Sequence, residues 1–298
     1  MRSFAYIIFF LFSCSNHSKI EQGTYLNKIG KYHLEYTIKG KGPLLIVGHP
    51  TSGKIAYEGS LQPLEKYFTV VYYNARGIGK SDTPPTYDEY QDKVWLFGHS
   101  DQSALALQYA VDYPRHVNGL ILSGTGYIDS YEEIIEDRKV FEMKRKNTEK
   151  WFQQVVNDWD YMLKFQTKTD SLGRDLTYAP LKWWCYDESS FQKVKPIYDS
   201  IIKIGKRREV SNQVNSYSTE HNIKNYIPYQ PKFNQIKVPI LIINGKYDTN
   251  NSPKKVEKLH HALPNSDLYI IDKSGHFPWI EQYEESFKII EEWLIKQL

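Results

Sequence analysis

Four short runs of this chain are apolar almost from end to end: residues 44–47, 68–73, 94–97 and 239–243. A strand with one wet face alternates apolar and polar side chains, so a run without alternation reads as a strand covered on both faces. Such strands need helices above and below them, which confines the chain to an α/β arrangement around a mostly parallel sheet. The segments between agree. Residues 103–113 carry helical periodicity up to Pro114, 117–122 read as a further strand, and 253–263, 268–271 and 282–297 as helix, strand and helix. Ahead of them, residues 24–29 and 31–39 read as two strands around the Gly30-Lys31 turn, the second alternating with period two. From about Gly126 to Phe233 charge and aromatic content rise together, helical patterns dominate and no buried strand run occurs. The expected organisation is a core of residues 24–125 and 236–298, interrupted after the sixth strand by a helical cap at 126–235.

Composition excludes several classes. Lys and Arg number 38 against 35 Asp and Glu, a net charge of +3, which lacks the dense basic footprint of a nucleic-acid binder. The densest basic run, Lys206-Arg207-Arg208, reads as a solvated turn. A mean hydropathy of -0.57 excludes a polytopic membrane protein. The two cysteines, Cys14 and Cys185, build neither a disulfide framework nor a zinc spacing.

Arg2 precedes an apolar stretch at 4–12, and nine apolar residues fall short of the roughly 20 that a membrane span needs. The stretch reads as a cleaved export signal. Leu11-Phe12-Ser13-Cys14, followed by polar Ser15-Asn16-His17-Ser18, resembles a bacterial lipobox with Phe12 where a small residue is usual. The expectation is a signal peptide over 1–13, lipidation of Cys14, a tether over 14–23, and an exported lipoprotein anchored in the bacterial cell envelope, at the periplasm or outer surface.

The chemistry concentrates in three turns. Gly98-His99-Ser100-Asp101-Gln102 sits between a buried run and a helix, the context in which a serine stands on a sharp elbow with its hydroxyl exposed. The helix start offers the backbone N–H of Asp101 to a developing oxyanion. A serine nucleophile needs a base, and the base an orienting acid. Asp248 follows the strand at 240–243 and His276 follows the strand ending at Ile271, so all three residues lie just past the carboxyl ends of strands. Their chain order, Ser, Asp, His, is that of the nucleophile elbow.

These turns, with Gly48-His49-Pro50-Thr51-Ser52 and Asn74-Ala75-Arg76-Gly77-Ile78-Gly79-Lys80-Ser81, resemble the α/β-hydrolases with a lid across essentially residues 24–298. Within that fold the chain looks most like the prolyl aminopeptidase (proline iminopeptidase) branch. The resemblance implies a backbone N–H of His49 as second oxyanion donor. It also implies a lid whose Trp183, Trp184, Asp187 and Glu188 bind substrate, the carboxylates holding a free amine. The implied activity is acyl-enzyme hydrolysis releasing an N-terminal, proline-like residue from short peptides, chemistry that needs no metal and no cofactor. The alternatives are a carboxylesterase on small esters and, from another class, a non-catalytic binding lipoprotein of the same fold. Two departures stand out. Gln102 occupies a position where the elbow usually has glycine, and residues 75–92 leave only seven, 86–92, for a crossover helix, so the sequence predicts that one covering helix is missing.

Overall fold

The computed structural model describes residues 21–29, 32–49, 53–74, 79–82, 94–126, 131–203 and 230–297. The expectations for residues 1–20, for Pro50, Thr51 and Ser52, for 75–78, for the crossover at 83–93 and for Lys206-Arg207-Arg208 lie outside them. So does Cys14.

The eight described strands are β1 (Gly23–Ile29), β2 (Tyr32–Gly40), β3 (Leu44–His49), β4 (Thr69–Asn74), β5 (Val94–His99), β6 (Val117–Ser123), β7 (Ile240–Gly245) and β8 (Ser266–Ile271), in the order β1-β2-β4-β3-β5-β6-β7-β8. β1 pairs antiparallel with β2 in a register that sets Tyr25 opposite Tyr36, their rings stacked at 5.4 Å. β2 runs antiparallel to β4, while β3 runs parallel to both β4 and β5, with Ile46 opposite Val71 and Val47 opposite Phe97. The non-alternating runs are the covered strands. Leu45, Val47, Val70, Tyr72, Val94 and Leu120 are buried, and β7 is buried along its whole length. β8 alternates, as suits the last strand of the order.

The described helices are α1 (Asp101–Asp112), α2 (Tyr131–Thr148), α3 (Lys150–Phe165), α4 (Ala179–Trp184), α5 (Glu188–Lys203), α6 (Gln230–Phe233), α7 (Pro253–Ala262), α8 (Pro278–Glu281) and α9 (Tyr283–Gln297). The C-terminal helix expected at 282–297 is α9, and the short helix α8 precedes it, with Gln282 between the two. The chain packs as two compact units. Among the described residues the first holds those up to Leu122 together with 197–203 and 232–240. Its loop end at 79–82 is pinned by Glu35, whose carboxylate accepts from Asn74 Nδ2 and from the Lys80 backbone, while Ser81 Oγ donates to Asn74 O at 2.9 Å.

Among the described residues the second unit holds 123–126, 131–196, 230–231 and 241–297, so helices α2–α4 pack in one body with β7, β8 and α7–α9. Its helical part is nucleated by aromatics. Phe152, Val155, Val156 and Trp183 form a buried cluster flanked by Trp151, Trp159 and Trp184, with Trp159 edge-on to Trp183 at 5.2 Å. α7 begins on an N-cap, Ser252 Oγ accepting from Lys255 N, with Pro253 at its first position.

Burial in the first unit sets a stability contrast. Leu120→Ala removes a fully buried side chain from β6 and is expected to lower unfolding free energy by about 2–5 kcal/mol. Leu105→Ala, on the exposed face of α1, should stay within about 0.5 kcal/mol, both read from urea denaturation.

Candidate active site

Ser100 is the N-cap of α1 and has φ 54° and ψ -126°. A side chain other than glycine is strained there, at a cost of order 1–3 kcal/mol. The turn is closed by Ser103 N donating to Ser100 O at 2.9 Å and by Ser103 Oγ donating to Gly98 O at 3.0 Å. A Cβ at Gly98 would come within 2.8 Å of Ser103 Cα, so the close approach of strand and helix depends on Gly98. His99 is buried against Tyr57, whose hydroxyl lies 3.3 Å from His99 Nδ1. His49 ends β3 opposite Asn74 in the parallel register.

In the second unit Asp248 and His276 are brought together. Asp248 is fully buried. Its Oδ2 takes the hydrogen bond of His276 Nδ1 at 2.8 Å, and its Oδ1 accepts from the backbone N–H groups of Asn250 (2.9 Å) and Asn251 (3.1 Å). A carboxylate so gripped sets the ring orientation and keeps the imidazole proton on Nδ1. His276 N donates to Trp184 O at 2.7 Å, and its ring lies 5.9 Å from the Trp184 indole and 5.3 Å from the Phe277 ring. The ring fits because Gly124 has φ 58° and no side chain. A Cβ there would stand 3.0 Å from both His276 Cε1 and Nδ1.

The four side chains expected to bind substrate take different places. Trp184 is half-buried and borders His276. Trp183 is buried in the aromatic cluster and donates from Nε1 to Glu142 at 2.7 Å. Asp187 stands just before α5 and accepts from Ser190 N at 2.8 Å, as a helix N-cap does. Glu188 accepts from Trp151 Nε1, Lys182 Nζ and Gln192 Nε2 at 3.2, 3.1 and 2.7 Å, and these donors hold its carboxyl below the usual range despite partial burial. Ser100 and Asp101 belong to the first unit, and Asp248 and His276 to the second.

Two buried charged residues that the sequence reading passed over also border the Asp248 and His276 turns: Arg145 of α2 and Glu281 of α8. Arg145 lies eleven residues after buried Ile134, three helical turns on along the same face. That phase is the signal, hidden in the charge run Lys144-Arg145-Lys146. Glu281 has no comparable local mark. Among the described residues no group of three or more His, Cys, Asp or Glu could hold a metal ion.

A serine elbow ending one strand and a buried Asp–His pair following two others define a hydrolase scaffold of the nucleophile-elbow kind. The chain belongs to the alpha/beta hydrolase fold family, which matches residues 44–283. It is 26% identical over 293 residues to a protein named proline iminopeptidase from Saccharolobus solfataricus, covering 89% of each chain. It is 23% identical over 300 residues to a proline iminopeptidase from Clostridium botulinum, covering 93% of this chain and 96% of that one. Among solved structures, an alpha/beta fold family hydrolase from Bacillus anthracis superposes with a TM-score of 0.61 at 19% identity, over 91% of this chain and 99% of that one. The non-catalytic reading gives way to a hydrolytic enzyme.

Two outcomes follow from the geometry. Gly124→Ala is expected to displace the His276 ring and weaken its hydrogen bond to Asp248, seen as a changed histidine ring resonance in a protein whose far-ultraviolet circular dichroism is preserved. Burial pushes the Cys185 thiol well above its ordinary value, and its Sγ is hydrogen-bonded to Leu181 O. A thiol reagent followed by peptide mapping should therefore leave Cys185 unmodified until denaturant is added.

Proposed function

We propose that this hydrolase works by acyl-enzyme chemistry, with Ser100 as nucleophile, His276 as general base and acid, and Asp248 as orienting acid. The observation that carries this reading is the 2.8 Å hydrogen bond between buried Asp248 and His276 Nδ1. With Nδ1 committed to the carboxylate, proton transfer falls to Nε2, which takes the Ser100 hydroxyl proton as Oγ attacks the substrate carbonyl. The backbone N–H groups of His49 and Asp101 take the oxyanion, each contributing about 3 kcal/mol to the transition state. His276 then protonates the leaving amine, and the same base activates the water that releases the acyl group.

The substrate class in this proposal is a short peptide with an N-terminal, proline-like residue. Support comes from relatives named proline iminopeptidase across nearly the whole chain. The helical insertion acts as the lid, with Trp184 presented beside the base. One observation favours a second reading, a carboxylesterase on small esters. Asp187 and Glu188, the carboxylates proposed to hold the substrate amine, already accept hydrogen bonds from Ser190 and from Trp151, Lys182 and Gln192.

Export and lipidation of Cys14 remain part of the proposal on the strength of the N-terminal sequence. Among the described residues no helix is long and apolar enough to cross a membrane.

Turnover of proline 4-nitroanilide, its N-acetylated counterpart and 4-nitrophenyl butyrate separates the readings. The peptidase reading predicts cleavage of the free-amine anilide, rejection of the acetylated one, and a loss of about 10⁶-fold in kcat for Ser100→Ala. Ester turnover alone, lost in the same variant, would establish the esterase instead. Labelling expressing cells with a tagged fatty acid should mark the protein and fail to mark Cys14→Ser.

A further inference from the structure

A buried guanidinium or carboxylate costs several kcal/mol unless its charge and hydrogen bonds are met. Arg145 is 1% exposed and Glu281 is fully buried. Both lie in the second unit, and neither uses its hydrogen bonds on the other. They use them largely on the backbone of three segments: 184–186, 247–249 and 275–277.

Arg145 reaches the acid's turn from α2. Nη1 donates to Tyr247 O at 2.7 Å and to Thr249 Oγ1 at 3.0 Å, gripping the residues on either side of Asp248. The same guanidinium donates to Cys185 O at 3.3 Å and to Tyr186 O at 2.9 Å. Its charge is answered by Glu149, bound through Nε and through Nη2 at 2.8 Å, and its faces lie over the Phe152 ring at 3.9 Å and the Tyr247 ring at 5.5 Å. A planar fork with five donors suits this set in a way an ammonium does not.

Glu281 grips the base's turn. Oε2 accepts from Gly275 N at 2.9 Å and Oε1 from Phe277 N at 3.0 Å, the two residues flanking His276. Oε2 also accepts from Tyr186 N at 2.9 Å. Burial pushes this carboxyl up while the backbone donors pull it down, and burial wins. His276 N is itself tied to the same strap through Trp184 O. The strap Trp184-Cys185-Tyr186 is thus bound to the neighbours of Asp248 through Arg145, to the neighbours of His276 through Glu281, and to His276 directly.

We propose that Arg145 and Glu281 are positioning residues that lock the Asp248 and His276 turns to the strap Trp184–Tyr186, making the helical insertion part of the acid–base scaffold. The inference rests on the assignment of Asp248 and His276 as acid and base. It assigns a reason to two buried charges whose hydrogen bonds converge on both sides of that pair, and it requires that loosening either one disturbs the pair before it disturbs substrate capture.

The test uses the full chain labelled with ¹⁵N-histidine. The bridging proton between His276 Nδ1 and Asp248 gives a far-downfield resonance, assigned by its disappearance in Asp248→Asn and His276→Ala. In Glu281→Ala and Arg145→Met, with far-ultraviolet circular dichroism preserved, this resonance is expected to broaden or vanish. Turnover of the best substrate should fall about 10²-fold in kcat, with KM within about twofold, as for displacement of a catalytic group by about 1 Å. Glu281→Gln and Arg145→Lys, which each keep part of the hydrogen bonding, should recover part of both readouts. An unchanged resonance and kcat in folded variants would overturn the proposal.

Should the alanine and methionine variants not fold, hydrogen exchange of the wild-type protein decides. The amides of Tyr186, Gly275 and Phe277 should exchange through one shared opening, and three unrelated opening free energies would refute the lock. Absence of turnover in the wild type would remove the hydrolase reading alone, because the downfield proton and its response to positions 145 and 281 need no substrate.

Discussion

The hydrogen bond between Asp248 and His276 is the interaction on which the second unit is organised. An ionised carboxylate is stable in so dry a place only if both its oxygens are hydrogen-bonded. Asp248 meets that condition with one imidazole and two backbone N–H groups. Holding the imidazole in turn demands room for its ring, which Gly124 supplies, and a fixed backbone at the following turn, which Trp184 O and the Glu281 carboxylate supply. Helices α2–α4 are therefore packed in the same body as the turns that carry Asp248 and His276.

The first unit solves a different problem, that of presenting a small hydroxyl on a sharp turn. Ser100 is held in a backbone conformation that its own side chain disfavours. The surrounding elements over-determine it. β5 is buried on its approach, α1 starts at the next residue, and Gly98 lets strand and helix come so close that the turn has no room to relax. Strain of this kind persists when the packing around it is stronger than the strain itself.

Much of this was legible in the sequence, and the reason differs from element to element. The strands β3, β4, β5 and β7 were visible because burial on both faces erases alternation. The turns of Ser100 and Asp248 were visible because each follows such a run, and the His276 turn because it follows the strand ending at Ile271. The ends of strands were less so: β3 and β5 continue two residues beyond their apolar runs, into Gly48-His49 and Gly98-His99, where the side chains no longer report burial. Trp183 and Trp184 read as equals, yet successive residues on a helix point about 100° apart. Only Trp184 borders the imidazole, while Trp183 is buried in the aromatic cluster. Asp187 carried an N-cap signal as strong as its functional one. Arg145 left only its helical phase with Ile134 in the sequence and Glu281 left no mark, because what distinguishes them is the set of distant backbone groups they bind.

The central claim is that Ser100 is activated by the Asp248–His276 pair. Incubating the purified protein with a fluorophosphonate and mapping the adduct by peptide mass spectrometry tests it directly. The account predicts one adduct, on Ser100, absent in His276→Ala and strongly reduced in Asp248→Asn. A folded protein that takes no adduct, or one whose Ser100 is labelled equally well without His276, would contradict it.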